Sequence, residues 1–369
     1  MTEQQLKSPV TIVAGFLTVT TVLAAASAAF ADGEFLNGRI VVANRNSSSI
    51  SVIDVKTDTV IGTHALPDKG EPMYVVYSPE RRRVFVGDRA NDRVVVFNAK
   101  NFRIETTVPT GDGVWHMWAD PGLQYACPPE HQLWVNNDVD KTITVIDTVT
   151  LEVITTIPIP DDLAAAGGKP HDVIVDPVSR FAYVTVLGLP GPDVVVQYST
   201  RSFEEVDRTH VGEDPHLSLA AQNHFLYVPC QNTHNVFVLD RDSLAPIVPP
   251  LGVIGAHGAC MAPTGKTFYT TNFPGNGVAG LVTIDTETNT ILGATDTGSP
   301  PIPAPHNVVL TPNGKKLYVT HSGATGDQVT VYRVPKPEAA QALGTVPGVP
   351  IFLTSVKVGL NPFGLAFVP

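Results

Sequence analysis

Five histidines, His116, His171, His216, His257 and His306, stand at the head of short apolar runs that read VWHMWADP, KPHDVIVDP, DPHLSLAA, GAHGACMAP and APHNVVLTP. In three of them a proline comes directly before the imidazole. Neutral imidazole is the commonest protein ligand for Zn, Cu, Fe and Ni, and three or four such nitrogens with an open position suit a catalytic ion. Histidines repeated at one phase of a repeat meet in space if the repeats close into a ring. The chemistry expected of this set is therefore a metal site, with copper favoured over zinc; oxygen-seeking Ca²⁺ and Mg²⁺ are poor occupants. The alternative for each residue taken alone is structural, a ring nitrogen bonded to a neighbouring backbone.

The repeat that carries them has four parts. An apolar run after Pro-His leads to a Pro/Gly turn. A strand follows that ends in a phrase such as QLWVNN (132–137), FAYVTV (181–186), FLYVPC (225–230) or TFYTTN (267–272). Next comes a strand such as ISVIDV (50–55), ITVIDT (143–148), VFVLDR (236–241) or LVTIDT (281–286), and then a last strand. These are alternating, β-branched runs set between Gly, Asn, Asp and Pro, which is strand and hairpin chemistry. Six copies begin near Glu71, Gly113, Lys169, Glu213, Ala256 and Ala304. That spacing suits four-stranded propeller blades. The first segments, GRIVVANRN, SISVIDV and VIGTHAL, lack an opening strand, and NPFGLAFVP (361–369) is an opening strand with no blade after it. Together they make a seventh blade. The expected fold is all-β: a single seven-bladed β-propeller over residues 32–369, closed by pairing the C-terminal strand with the N-terminal three strands.

On these phrases the chain resembles the YVTN-type seven-bladed β-propellers, exported bacterial and archaeal repeat proteins, over residues 39–369. The resemblance implies the fold and leaves activity open, because propellers host unrelated functions. In part, the histidines are also similar to those of copper-binding propellers such as nitrous-oxide reductase and the methanethiol oxidases of the selenium-binding family. Five ring histidines are too few for the nitrous-oxide reductase cluster, so a mononuclear site is expected.

In a propeller the opening strand of each blade lines the channel. The expected ring is Met73, His116, His171, His216, His257, His306 and Phe363. A second ring, at the end of the YVTN-like phrase, holds Asn44, Asn136, Cys230, Asn272 and His321, with Asp88 near it. Met73, His321, Cys230 and Asp172 are the candidates for additional ligands or for groups that orient the imidazoles. Asp112, Glu213 and Asp214 flank the ring. Trp115 and Trp118 are read as core, and His64, His131, His210, His224 and His234 as surface. The literal G-x-G-x-x-G of 275–280 falls between strands, so it is a hairpin rather than a dinucleotide cradle.

Composition bounds the rest. A net charge of −11 disfavours nucleic acid and anionic lipid as partners. The partner expected is a small molecule, or another protein on a propeller face decorated by the insertions 121–132, 159–168 and 336–350, with the chain a monomer. Lys7, the apolar stretch 10–30 and Ala29-Phe30-Ala31 read as an export signal over residues 1–31, with an uncleaved anchor as the alternative, so a periplasmic or extracellular protein is expected. Three cysteines, Cys127, Cys230 and Cys260, allow at most one bridge. Three functions follow, in order: a transition-metal protein, with a metal-dependent oxidoreductase as its catalytic form; a non-catalytic binding scaffold; and a lactonase or lyase. The last ranks lowest because lactonase sites resemble clusters of His, Arg and Glu, and the expected ring holds no Arg.

Overall fold

A computed structural model describes residues 37–119, 131–273 and 280–369. The proposed export segment, Cys127, most of the 121–132 insertion and most of the 275–280 hairpin lie outside these residues.

The described residues form seven four-stranded antiparallel sheets arranged as blades. The opening strands are Pro72–Ser78, Val114–Ala119, Lys169–Val175, Ser218–Leu219, Ala256–Met261, Pro305–Leu310 and Pro362–Val368, for blades one to seven. Blade seven takes its opening strand from the C-terminus, and that strand pairs with Arg39–Asn44 along the register Arg39↔Val368 to Asn44↔Pro362. An edge that would otherwise expose a row of unpaired N–H and C=O groups is thereby covered. The core is divided among the blade interfaces. Val173, Val184 and Val196 of blade three pack on Trp134, Ile143 and Val145 of blade two, for example, and Val41 and Val52 of blade seven pack on Val84 and Val95 of blade one. The YVTN-like phrases alternate because each second strand, fully interior, feeds one interface with each face.

One local device decides what reaches the axis. In six of the seven blades the ladder between the first two strands shifts by one residue directly after the opening position. In blade three, Pro170↔Val186 is followed by Val173↔Val184, so His171 and Asp172 together oppose the single residue Thr185. This is a β-bulge, which frees two consecutive side chains from the alternation and re-aims them. The freed backbone N–H needs a partner, and in blades three, five and six a threonine supplies it. Thr185 Oγ1 accepts from Asp172 N at 2.8 Å, Thr271 Oγ1 from Gly258 N at 2.8 Å and Thr320 Oγ1 from Asn307 N at 3.0 Å. Thr271 and Thr320 then donate across the blade interface, to the carbonyls of His306 at 2.6 Å and Phe363 at 2.7 Å. The threonine of the YVTN-like phrase is thus a staple that holds a bulge and ties it to the next blade.

The insertions at 159–168 and 336–350 contain short helices, Asp161–Ala165 and Pro337–Leu343. Among the described residues no helix is long and apolar enough to cross a membrane. Cys230 and Cys260 are free thiols.

Thr271→Val keeps the shape of the side chain and leaves a buried N–H and a buried carbonyl without their partner. Each orphan costs about 1–3 kcal/mol. Chemical denaturation should show a stability loss of about 2–5 kcal/mol, against under about 1 kcal/mol for Thr107→Val on an outer strand; equal losses would remove the staple from the account.

Candidate functional site

The pairing register sets which residues share a place around the axis. The opening position of each blade pairs with the end of the second strand: Pro72↔Asp88, Val114↔Asn137, Pro170↔Val186, Pro215↔Cys230, Ala256↔Asn272, Pro305↔His321 and Pro362↔Asn44. The next residue outward in every blade gives the true ring: Met73, Trp115, His171, His216, His257, His306 and Phe363. His116 is therefore not the equivalent of the other four. It occupies the second bulge place, with Tyr74, Asp172 and Asn307, and the expected ring corrects to Trp115 in blade two. The second ring shifts likewise in that blade, from Asn136 to Asn137. Trp115 precedes His116 without a proline to mark the phase, so the histidine itself misled the alignment.

All five histidines nevertheless meet: His116, His171, His257 and His306 are bulge residues turned inward, and His216 reaches the same space from the unshifted ladder of blade four. Ring centroids are 4.9 Å apart for His116 and His171, 4.8 Å for His171 and His216, 5.5 Å for His116 and His216, 3.9 Å for His216 and His257, and 4.4 Å for His257 and His306. Asp172 lies beneath them. Its Oδ1 is 2.8 Å from His116 Nδ1 and its Oδ2 is 3.7 Å from His216 Nδ1. The same carboxylate accepts from the Leu217 N–H at 2.9 Å. Burial alone would raise this carboxyl, but His116 and His216 hold it below its ordinary value, so it is an anion set among imidazoles. Asp214 Oδ1 stands 3.4 Å from His171 Nε2 and 3.8 Å from His216 Nε2. Burial lowers the pKa of His116, partly opposed by Asp172, and lowers those of His171, His257 and His306 strongly. At neutral pH these four rings carry no charge. The Nε2 atoms of His116, His171 and His216, and both nitrogens of His257, are buried and have no hydrogen-bond partner among the described residues.

The remaining candidates separate from this group. His306 is spent on structure: its Nδ1 lies 2.8 Å from the Asn307 amide, and it makes a backbone hydrogen bond to Phe363. Met73 is fully buried in the apolar cluster between blades one and two, against residues such as Val94 and Val114, so it supplies packing rather than a thioether ligand. His321 is held by the Pro303 carbonyl at 2.8 Å and Thr330 Oγ1 at 2.9 Å, which uses both of its nitrogens. Cys230 packs in the cluster between blades three and four, and burial pushes its thiol up, away from the thiolate a metal needs.

Sequence reasoning missed the cations. Arg45 and Arg89 each follow the last residue of a second strand, and the chain turns there onto the mouth above the histidines. Both guanidinium groups cover Trp115, at 5.6 and 4.7 Å from its ring centroid, and Arg45 also covers Phe363 at 5.3 Å. Arg45 pairs with Glu71, and Arg89 reaches both carboxylate oxygens of Asp138. Phe273 closes the collar, 5.0 Å from His257 and 5.3 Å from His306. The signal was present one residue past the YVTN-like phrase, where Arg45, Arg89, Asp138 and Phe273 share a phase. Trp115, read as packing from sequence, is a wall of this mouth.

Beneath the histidines a cavity of about 90 Å³, with room for a few waters, touches Tyr74, His116, Asp172 and Asn307 and continues along apolar strand residues such as Val173 and Leu217.

Residues 36–245 match the model of a family described as lactonase, 7-bladed β-propeller. No curated protein matches the chain. Solved structures share the fold. A Bacteroides uniformis protein described as a candidate 6-phosphogluconolactonase superposes with a TM-score of 0.67 at 17% identity, over 90% of this chain and 100% of that one. Hydrazine synthase of Kuenenia stuttgartiensis gives 0.65 at 17% identity, over 82% and 91%. A protein of unknown function from Desulfotomaculum acetoxidans gives 0.65 at 11% identity, over 89% and 98%. At these identities the likeness is one of fold.

His321 offers a check on the buried imidazoles away from the mouth. Burial pushes its pKa down to about 4, against an ordinary value of about 6.5. The unfolded chain therefore binds this proton first as pH falls. The stability it contributes is present above pH ~6.5 and is lost progressively toward pH ~4, about 3 kcal/mol in all. Urea unfolding at pH 7, 5.5 and 4.5 should show a steeper acid loss for the native chain than for His321→Gln. Parallel curves would show that His321 is not buried neutral.

Proposed function

The chain belongs to the family of seven-bladed β-propeller lactonases, and on that premise we propose that it hydrolyses a lactone at the histidine mouth of its channel. The observation that carries the reading is the meeting of unpartnered buried imidazoles with guanidinium and carboxylate groups at one end of the axis. This is the His, Arg and Glu chemistry that the sequence alone placed last, because Arg45, Arg89 and Glu71 lie outside the ring predicted there.

Each part has a task in ester opening. A water between the Asp214 carboxylate and the imidazole nitrogens of His171 and His216 has acceptors for its protons on one side of the mouth. Asp172 fixes His116 with Nδ1–H toward the carboxylate, leaving a lone pair on Nε2 facing the cluster. Attack on the lactone carbonyl places negative charge on oxygen. Arg45, whose positive charge is felt at His306 and Tyr74, is a cation placed to receive it. The ring oxygen then leaves as an alcohol and the product is a hydroxy acid. Trp115, Phe273 and Phe363 supply flat apolar faces for a cyclic substrate. Both guanidinium groups already have carboxylate partners, and Asp172 and Asp214 add negative charge, so an uncharged lactone suits the mouth better than a phosphorylated one.

A panel of neutral sugar and alkyl lactones, scored by acid release, tests this. Arg45→Gln should lower kcat by about 10²-fold, and Asp214→Asn by a similar factor. A folded chain that opens no member of the panel faster than buffer would end the reading.

A further inference from the structure

We propose that His116, His171 and His216 form a three-nitrogen site for one transition-metal ion of the zinc or copper kind, held from behind by Asp172 and open toward Asp214. The donor atoms of the three residues lie within 4.8 Å of one another. Each Nε2 is buried without a hydrogen-bond partner among the described residues. A buried polar atom left unpaired costs about 1–3 kcal/mol, and three in one place is a concentration that a folded chain tolerates only with a ligand to share. Small ring rotations bring three nitrogens to the spacing of about 3.4 Å that a four-coordinate ion with bonds of about 2.1 Å requires.

The support behind the rings selects His116 and His216, and His171 completes the set by its place between them and Asp214. A ligating imidazole characteristically donates its other N–H to a carboxylate, which fixes tautomer and orientation. His116 Nδ1 makes that contact with Asp172 at 2.8 Å, and His216 Nδ1 faces the other oxygen of the same carboxylate at 3.7 Å. A second set, Asp214, His216 and His257, also lies within 4.8 Å. It competes for the single free lone pair of His216, and neither nitrogen of His257 has a group to orient it. His306 is already engaged by Asn307 and the Phe363 backbone. Three imidazole nitrogens as ligands favour Zn or Cu over Mg or Ca. Three protein ligands with one place free is the arrangement of a catalytic site, where the ion would supply Lewis-acid polarisation. The free place faces Asp214 Oδ1, 3.4 Å from His171 Nε2. Only this last role rests on the lactone reading; ion binding does not.

The test uses the full chain, stripped with a chelator and titrated with Zn²⁺ and Cu²⁺, with bound metal measured by elemental analysis and folding by circular dichroism. One equivalent is expected. His171→Ala and His216→Ala should each weaken binding more than about 100-fold, and Asp172→Asn by about 10–100-fold. His306→Gln should bind as the native chain does. Co²⁺ loading of the native chain gives a reading that no variant's folding can spoil: an intense visible band of a four-coordinate ion is expected, and a weak six-coordinate spectrum overturns the site. So does less than about 0.1 equivalent at saturating ion. Loss of binding in His257→Phe with retention in His116→Ala overturns the assignment in favour of the Asp214 set. Binding without hydrolysis supports the ion site and ends the lactone reading. Hydrolysis by a folded chain that takes up no ion does the reverse.

Discussion

The axis depends on one extra residue, inserted after the opening position in six of the seven blades. A regular strand sends alternate side chains to opposite interfaces, so a histidine followed by an aspartate would put one toward the channel and the other away. The bulge after the opening position removes that choice. In blade three it delivers His171 and Asp172 to the same space, and in blade two it delivers Trp115 and His116. Without it, Asp172 could not reach the ring of His116 one blade away, and no carboxylate would stand beneath the imidazoles. The bulge in turn needs a group to take up its freed N–H, which is the work of Thr185, Thr271 and Thr320. A residue type that looks decorative in a strand phrase therefore supports the site.

The site is layered rather than a single ring. The lowest layer is Asp172 with Tyr74 and His116, closed from solvent. Above it come His171, His216 and His257, and then the turn residues Arg45, Arg89 and Asp214. Charge varies through these layers: an anion below, imidazole rings in the middle, with His171 and His257 held neutral by burial, and paired cations and anions at the rim. Burial of the rings makes the arrangement self-consistent. Neutral imidazoles cost far less to enclose than charged ones, and the one enclosed charge, on Asp172, is met by His116, by His216 and by the Leu217 N–H.

The lactonase family and the histidine cluster bear on different questions. The family match covers three of the four strands of blade seven, blades one, two and three, and part of blade four, which supply Arg45, Glu71, Arg89, Trp115, His116, His171, Asp172, Asp214 and His216. His257 and His306 lie beyond the matched residues. One of them is spent on structure and the other stands outside the ligand set proposed here, so the groups that carry both readings come from the same portion of the chain.

Much of the fold was legible from the letters. Period-two apolar runs, turn residues at regular spacing and an unpaired strand at each end were enough for seven blades and their closure, because these follow from local chemistry and from the need to cover edges. The convergence of the histidines was legible too, as a consequence of closure. What the letters could not decide was register. A bulge is invisible in composition, so His116 was aligned with His171 although it sits one place further on, and Asn136 was taken for Asn137. The partners of each group were equally out of reach: that His306 and His321 are satisfied while His257 is not, that Met73 fills an interface, and that Arg45 and Arg89 fold over Trp115 are outcomes of packing between blades distant in the chain. Sequence determines which residues arrive at the axis; the tertiary contacts determine which of them arrive with a lone pair free.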